Sequence, residues 1–212
     1  MTVTIPTSEL VGALADVIPF ACAEDELPTI NCVRIEWDGQ QLHALATDMF
    51  RVAISSWDPD DAPDEDVQDD LFTSFGSGDD PWHLLVPLSD AKDLVKVFKL
   101  PPKEGRAALT VDVDNGRLAV RRSRESGHSA LTATIDGTGV EFPDVRKLLA
   151  KNDVIQPART LAFTARFMAD FAKVRPRGPL LLTFTGDASL VHVAIGERFV
   201  GAIVPTRLGS DG

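Results

Sequence analysis

Apolar residues along this chain recur in two rhythms, one of helical and one of strand period, and the pair of rhythms repeats three times. Between residues 8 and 20, Leu10, Val11, Leu14, Val17 and Ile18 fall at i, i+1, i+4, i+7 and i+8, the stripe of one buried face of an α-helix. Thr7 or Ser8 is placed to cap that helix with a hydroxyl. Strand-like stretches follow over 32–36, 41–47 and 51–57, the first two joined by a turn at Asp38-Gly39. The order of this unit is helix, strand, strand, strand.

The second statement of the pattern opens with a short strand over 82–87. Ser89 is placed to cap a helix whose apolar side holds Leu94, Val95 and Phe98. Strands are expected over 106–113, 117–122 and 130–135, with Asp114-Asn115-Gly116 as a strong hairpin signal between the first two. The third begins at Leu161, with Thr164 as cap, Phe167, Met168, Phe171 and Val174 as the helical stripe, and strands over 180–185, 190–195 and 199–204. A unit repeated in this way predicts an α+β fold built from three helix-plus-antiparallel-strand units.

One stretch departs from the pattern. LHALATDMFRVA, residues 42–53, places Asp48 and Arg51 inside an otherwise apolar strand, corner and returning strand. Asp48 can accept backbone N–H groups at the corner, and Arg51 can reach a partner; a solvated Arg on a structural corner is the plainer alternative.

Composition narrows the function classes. With 212 residues and 44% hydrophobic content, the chain can bury an ordinary core. No apolar run approaches a membrane span, and the N-terminus MTVTIPTSEL lacks a basic stretch followed by an apolar one, so a soluble, cytoplasmic protein is expected. Cys22 and Cys32 are expected as buried thiols without a disulfide. Residues 58–81 carry ten acidic residues, three Pro and no basic residue, the composition of a mobile loop, and they lack the spacing of an EF-hand, so no metal is expected there. The chain has neither a GxxxxGK phosphate loop nor a GxSxG elbow, and His43, His83, His128 and His192 show no metal-ligand spacing. An enzyme and a cofactor are therefore not expected.

The net charge of −11 conceals an asymmetry: 18 Asp and Glu stand against two Arg before residue 82, and 14 against 19 Lys and Arg after it. Lys92, Lys96, Lys99 and Lys103 follow i, i+4, i+7 and i+11, although Pro101 and Pro102 predict that the helix ends near Lys99. Arg166, Lys173 and Arg177 form a looser row. Such rows are either solvated faces or cations spaced to displace counterions from duplex DNA without reading bases. The first helix offers no Lys or Arg.

Four segments in the same order carry a family resemblance: FACAEDELPTINCVRIEWDGQQLHALATDMFRVA, VPLSDAKDLVKVF, IDGTGVEFPDVRKLL, and LAFTARFMADFAKV with the terminal FVGAIVPTRL. Together they resemble the bacterial DNA sliding clamp, the beta subunit of DNA polymerase III. The resemblance implies the DNA-clamp fold, in which rings of six similar domains each contain two of the units above. By that reading residues 1–148 would form a complete domain and 149–212 half of one, as if a half-domain were missing between Lys151 and Thr160. A lone half-domain would expose apolar surface, so a homo-oligomer with paired third units is expected.

The family's groove for hydrophobic peptides of polymerases and the clamp loader would here be walled by Ile30, Thr47, Arg51, Val52, Pro143, Leu148, Ala202, Val204 and Pro205. At the corner Met49-Phe50 replaces the family's Gly-His. Lys92, Lys96, Lys99, Arg166, Lys173 and Arg177 would face DNA. The implied function is a non-enzymatic processivity factor that holds a polymerase on duplex DNA independently of sequence. The alternative is a clamp-derived adaptor or competitor that does not encircle DNA.

Overall fold

The computed structural model describes residues 2–61, 80–100, 107–122, 131–150, 161–175, 178–184 and 190–206. The first unit comprises β1 (Thr2–Pro6), α1 (Thr7–Val17) with a 3-10 turn at Ile18–Phe20, β2 (Cys32–Trp37), β3 (Leu42–Thr47) and β4 (Arg51–Trp57). The second holds β5 (Trp82–Pro87), α2 (Leu88–Phe98), β6 (Ala108–Asp114), β7 (Arg117–Arg122) and β8 (Leu131–Asp136), and is followed by a short α3 (Val145–Leu149). The third holds α4 (Ala165–Phe171), β9 (Leu180–Phe184), β10 (Val191–Ile195) and β11 (Phe199–Ile203). The β6–β7 turn places Asn115 and Gly116 at φ 48° and 75°, the paired left-handed conformation of a tight hairpin. Of the acidic stretch, Pro59–Asp61 form a 3-10 turn and 62–79 lie outside the described residues.

Units one and two exchange their first strands. β1 leaves its own unit to pair antiparallel with β6, and β5 pairs antiparallel with β2. The result is a four-stranded sheet β1-β6-β7-β8 and a sheet that begins β5-β2-β3-β4, with α1 packed on α2. The third unit then joins edge to edge: β11 pairs antiparallel with β4, which extends the second sheet to seven strands, β5-β2-β3-β4-β11-β10-β9.

Strand alternation sends Val33, Ile35, Ala44, Ala46, Ala53 and Trp57 to the helix side of the long sheet, where they join one core with the apolar faces of α1 and α2. The third unit contributes Phe171, Val174, Phe199 and Ile203 to the same core, and the rings of Phe20, Phe171 and Phe199 interlock with centroids 4.9 to 6.2 Å apart. Each such ring, fully buried, is worth about 1.5–3 kcal/mol relative to exposure. The opposite face of the long sheet has its own cluster, in which Phe142 and Val145 cover Cys32, Leu45, Val52, Ile54, Leu85 and Ala202.

Several local expectations are corrected. Thr7 is the first residue of α1, and its hydroxyl donates to the Ala107 carbonyl at 2.6 Å instead of capping the helix. Ser89 lies inside α2, whose N-cap is Pro87. Thr164 occupies the N-cap of α4, but its hydroxyl bonds the Thr206 hydroxyl at 3.1 Å. The Thr7 hydroxyl is taken by a carbonyl of the second unit and the Thr164 hydroxyl by a neighbour in its own unit, so neither serves as a side-chain cap. Strand β1 was not foreseen, although Val3 and Ile5 alternate with Thr2 and Thr4 as a strand requires. Cys22 and Cys32 are both buried and free; desolvation pushes the Cys32 thiol up to about 11.

The β4–β11 seam tolerates little bulk. Gly201 lies opposite Ala53, and a Cβ on Gly201 would meet the Val52 carbonyl oxygen at 2.5 Å. Gly201→Ala is therefore expected to force the seam apart and destabilise the protein by about 1–3 kcal/mol in chemical denaturation, the usual range for overpacking.

Candidate functional site

The corner between β3 and β4 is built by its polar residues. Asp48 Oδ1 accepts the N–H groups of Phe50 and Arg51 at 3.1 and 2.9 Å, and the Thr47 hydroxyl donates to the Arg51 carbonyl at 2.7 Å. This tight wrap puts Met49 at φ 71°, a left-handed conformation that glycine adopts freely and that costs a side-chain-bearing residue roughly 1 kcal/mol. Met49 and Phe50 consequently project outward at 64% and 52% exposure, and the Phe50 ring stacks on Phe167 of α4 with centroids 6.1 Å apart.

Arg51 points the other way. Its side chain is 5% exposed, with Nε and Nη2 donating to Asp48 Oδ2, Nη2 also to the Pro19 carbonyl, and Nη1 to Asp170 Oδ2 at 2.5 Å. The rings of Phe20 and Phe167 face the guanidinium at 5.0 and 4.3 Å. One side chain thus ties the corner, the end of α1 and α4 together. Burial alone would raise the Asp170 carboxyl, but the hydrogen bonds and charges of Lys173 and Arg51 outweigh it and hold it below its ordinary value.

A second tie lies on α1, the helix without Lys or Arg. α2 buries a single stripe, whereas α1 buries Gly12 and Asp16 on its other side as well. There the third unit lies against it: Asp16 Oδ1 accepts the Arg175 N–H at 2.5 Å, while Asp16 Oδ2 accepts the hydroxyl of Ser55 on β4 at 3.0 Å. The Arg175 guanidinium crosses Gly12, donates to the Ser8 carbonyl at 3.0 Å and pairs with Glu9, which Arg198 also approaches. Desolvation raises the Asp16 carboxyl above its ordinary value, opposed by the Arg175 and Ser55 hydrogen bonds.

Of the residues expected to wall a peptide groove, Ile30, Thr47, Arg51, Val52 and Ala202 are buried, while Pro143, Leu148 and Val204 are exposed and Pro205 is half-buried. Val52 and Ala202 lie beneath Phe142 and Val145 in the outer cluster. Val204 donates its N–H to the Phe50 carbonyl at 2.8 Å, so the outward-facing Phe50 and Val204 are tied together. Met49 and Phe50 are not among the residues expected to wall a groove, yet the left-handed φ of Met49 turns both side chains outward, and no apolar periodicity signals that.

Among the cations expected to face DNA, Lys92, Lys96 and Lys99 are exposed along α2 and just past its end. Arg166 is exposed over the Phe167 ring, Lys173 is exposed, and Arg177 lies outside the described residues. Lys96 pairs with Asp93 and Lys173 with Asp170, both within one helical turn. His43 is a buried strand residue whose ring nitrogens bond Ser56 Oγ and Asp38 Oδ2, a network that secures the β2–β3 turn to β4. Among the described residues no group of three metal-ligating side chains is found, and no helix is long and apolar enough to cross a membrane.

The fold defined by these sheets and helices is that of the bacterial DNA sliding clamps. The DNA polymerase III beta subunit of Thermotoga maritima superposes with a TM-score of 0.72 at 16% identity over 99% of this chain and 66% of that one. The beta subunit of Pseudomonas aeruginosa gives 0.74 at 13% identity over 98% and 66%, and the Bacillus subtilis sliding clamp 0.72 at 13% over 98% and 64%. The chain therefore spans just under two thirds of the length of these clamps. No protein-family model and no curated protein matches it.

Arg51→Ala is expected to lower the unfolding free energy by about 3–5 kcal/mol, because Asp48 and Asp170 are left without their buried counter-charge. Arg51→Lys recovers only part, since an ammonium cannot fork between two carboxylates and a carbonyl. The depressed Asp170 carboxyl contributes stability that is present above its unfolded value and lost as pH falls through its folded one. Denaturation midpoints measured from pH 7 downward should accordingly fall less steeply in Asp170→Asn than in the native protein.

Proposed function

We propose that this chain is a non-catalytic, clamp-type processivity factor that holds a polymerase on duplex DNA through sequence-independent phosphate contacts. The observation that carries this reading is the clamp fold itself, matched over 98–99% of the chain. In this reading residues 1–148 act as a complete clamp domain and 149–212 as a half-domain joined through β4–β11. Lys92, Lys96 and Lys99 on α2, Arg166 and Lys173 on α4, and Arg177 supply the positive charge for DNA. The partner-peptide surface is the solvent-facing set Pro143, Leu148, Val204 and Pro205, floored by the buried Ile30, Thr47, Val52 and Ala202 and braced by Arg51.

A clamp-derived adaptor that does not encircle DNA is the second reading. It is favoured by the covering of α1: Arg175 lies across Gly12 and Glu9 draws in Arg198, so this helix presents the third unit with acidic groups and offers no cation.

Binding to a fluorescent duplex across a salt series separates the two. The clamp reading expects log affinity to fall linearly with log salt, with a slope near −0.9 per neutralised phosphate. Replacing Lys92, Lys96, Lys99, Arg166, Lys173 and Arg177 by Gln should weaken binding and flatten that slope. An affinity indifferent to these six substitutions removes the DNA-facing assignment and leaves the adaptor reading.

A further inference from the structure

The first two units show how this fold completes a sheet. β2 acquires its fourth strand, β5, from unit two, and β6 acquires its fourth strand, β1, from unit one. In both cases the borrowed strand directly precedes a helix, and it brings apolar residues at the first and third positions before the N-cap. These are Ile5 and Val3 before Pro6, and Val86 and Leu84 before Pro87, all buried.

The third unit has both halves of this arrangement, and among the described residues neither is paired in this way. Phe163 and Leu161 stand at the same two positions before the N-cap Thr164, yet both are only half-buried. Among the described residues the backbone pairing of this segment is a single bridge, Ala162 to Thr206. β9 occupies the place of β2 and β6, and among the described residues no strand lies beside its outer edge. β2 is buried along most of its length, whereas Leu180, Leu181 and Phe184 of β9 are 36%, 58% and 46% exposed.

We infer that the third unit is completed by the third unit of a second copy, each lending Leu161-Ala162-Phe163 to the other's β9. A donor strand and an acceptor edge on one unit are self-complementary about a two-fold axis, which is why the occupant is a second copy and not a foreign strand. The register follows from the chain's own pairs. Val33 faces Val86 and Leu109 faces Ile5, which sets Phe163 of one copy opposite Leu180 of the other. Ile35 facing Leu84 and Val111 facing Val3 set Leu161 opposite Leu182, and Ala162 then lies opposite Leu181 on the outer face. A flat apolar edge of this kind otherwise invites uncontrolled strand addition.

This pairing does not depend on the DNA reading and is measured without DNA. Sedimentation equilibrium of the full chain is expected to give twice the 22.9 kDa chain mass. Leu180→Asp and Phe184→Asp alter exposed side chains, so they should leave the circular dichroism spectrum unchanged and shift the protein to monomer. Under mild oxidation the Ala162→Cys/Leu181→Cys double variant should form an inter-chain disulfide that neither single variant forms. A native chain that sediments as a monomer overturns the proposal, and so does a dimer whose double-cysteine variant gives no cross-link.

Discussion

The buried guanidinium of Arg51 is the point on which the arrangement of the three units turns. It lies where the β3–β4 corner, the end of α1 and the start of the third unit converge, and it answers a carboxylate from each side, Asp48 within its own corner and Asp170 from α4. Burying one charge here would be costly; burying it between two carboxylates, a carbonyl and two aromatic faces turns that cost into geometric specification. Because the guanidinium is planar and forked, it fixes the direction in which α4 approaches as well as its distance. The edge pairing of β11 with β4 follows from that placement, as does the shared core of Phe20, Phe171 and Phe199.

The third unit is held to the first by two kinds of contact with opposite responses to acid. Asp170 is held ionised by Arg51 and Lys173, so its contribution is lost as pH falls; Asp16 is raised by desolvation, so protonation relieves a penalty there. The seam is thus anchored by charge at the corner and by backbone capping at Arg175, with the apolar core between. The unit is well fixed on that side; on the other, β9 ends the sheet among the described residues. Reciprocal strand exchange, which completes units one and two, has no intramolecular counterpart for unit three among the described residues.

The same placement bears on function. α1, whose equivalent on α2 presents lysines to solvent, is instead occupied by Arg175 and Arg198 of the third unit. Positive charge on the helices is carried by α2, α3 and α4 among the described residues, and one set of outward apolar groups, Met49, Phe50 and Val204, lies beside the corner. The proposed partner surface adjoins this corner, whose backbone is already ordered by Asp48 and Thr47.

By itself the sequence determined the three units, their helix-plus-strand composition, the Asn115-Gly116 hairpin and the capped corner at Asp48. Each of these is specified by apolar period or by the conformational preference of a few adjacent residues. The sequence also marked Arg51 as anomalous, since a charged residue in a strand-period run has to find a partner. Only the tertiary structure decided that the partner is Asp170, 119 residues away. It also decided that β1 and β5 change units, that Thr7 and Ser89 do not cap, and that the third unit lies on the cation-free α1. Those outcomes depend on which edges and faces meet across long separations, and hydrophobic periodicity records that a face is buried without recording what buries it.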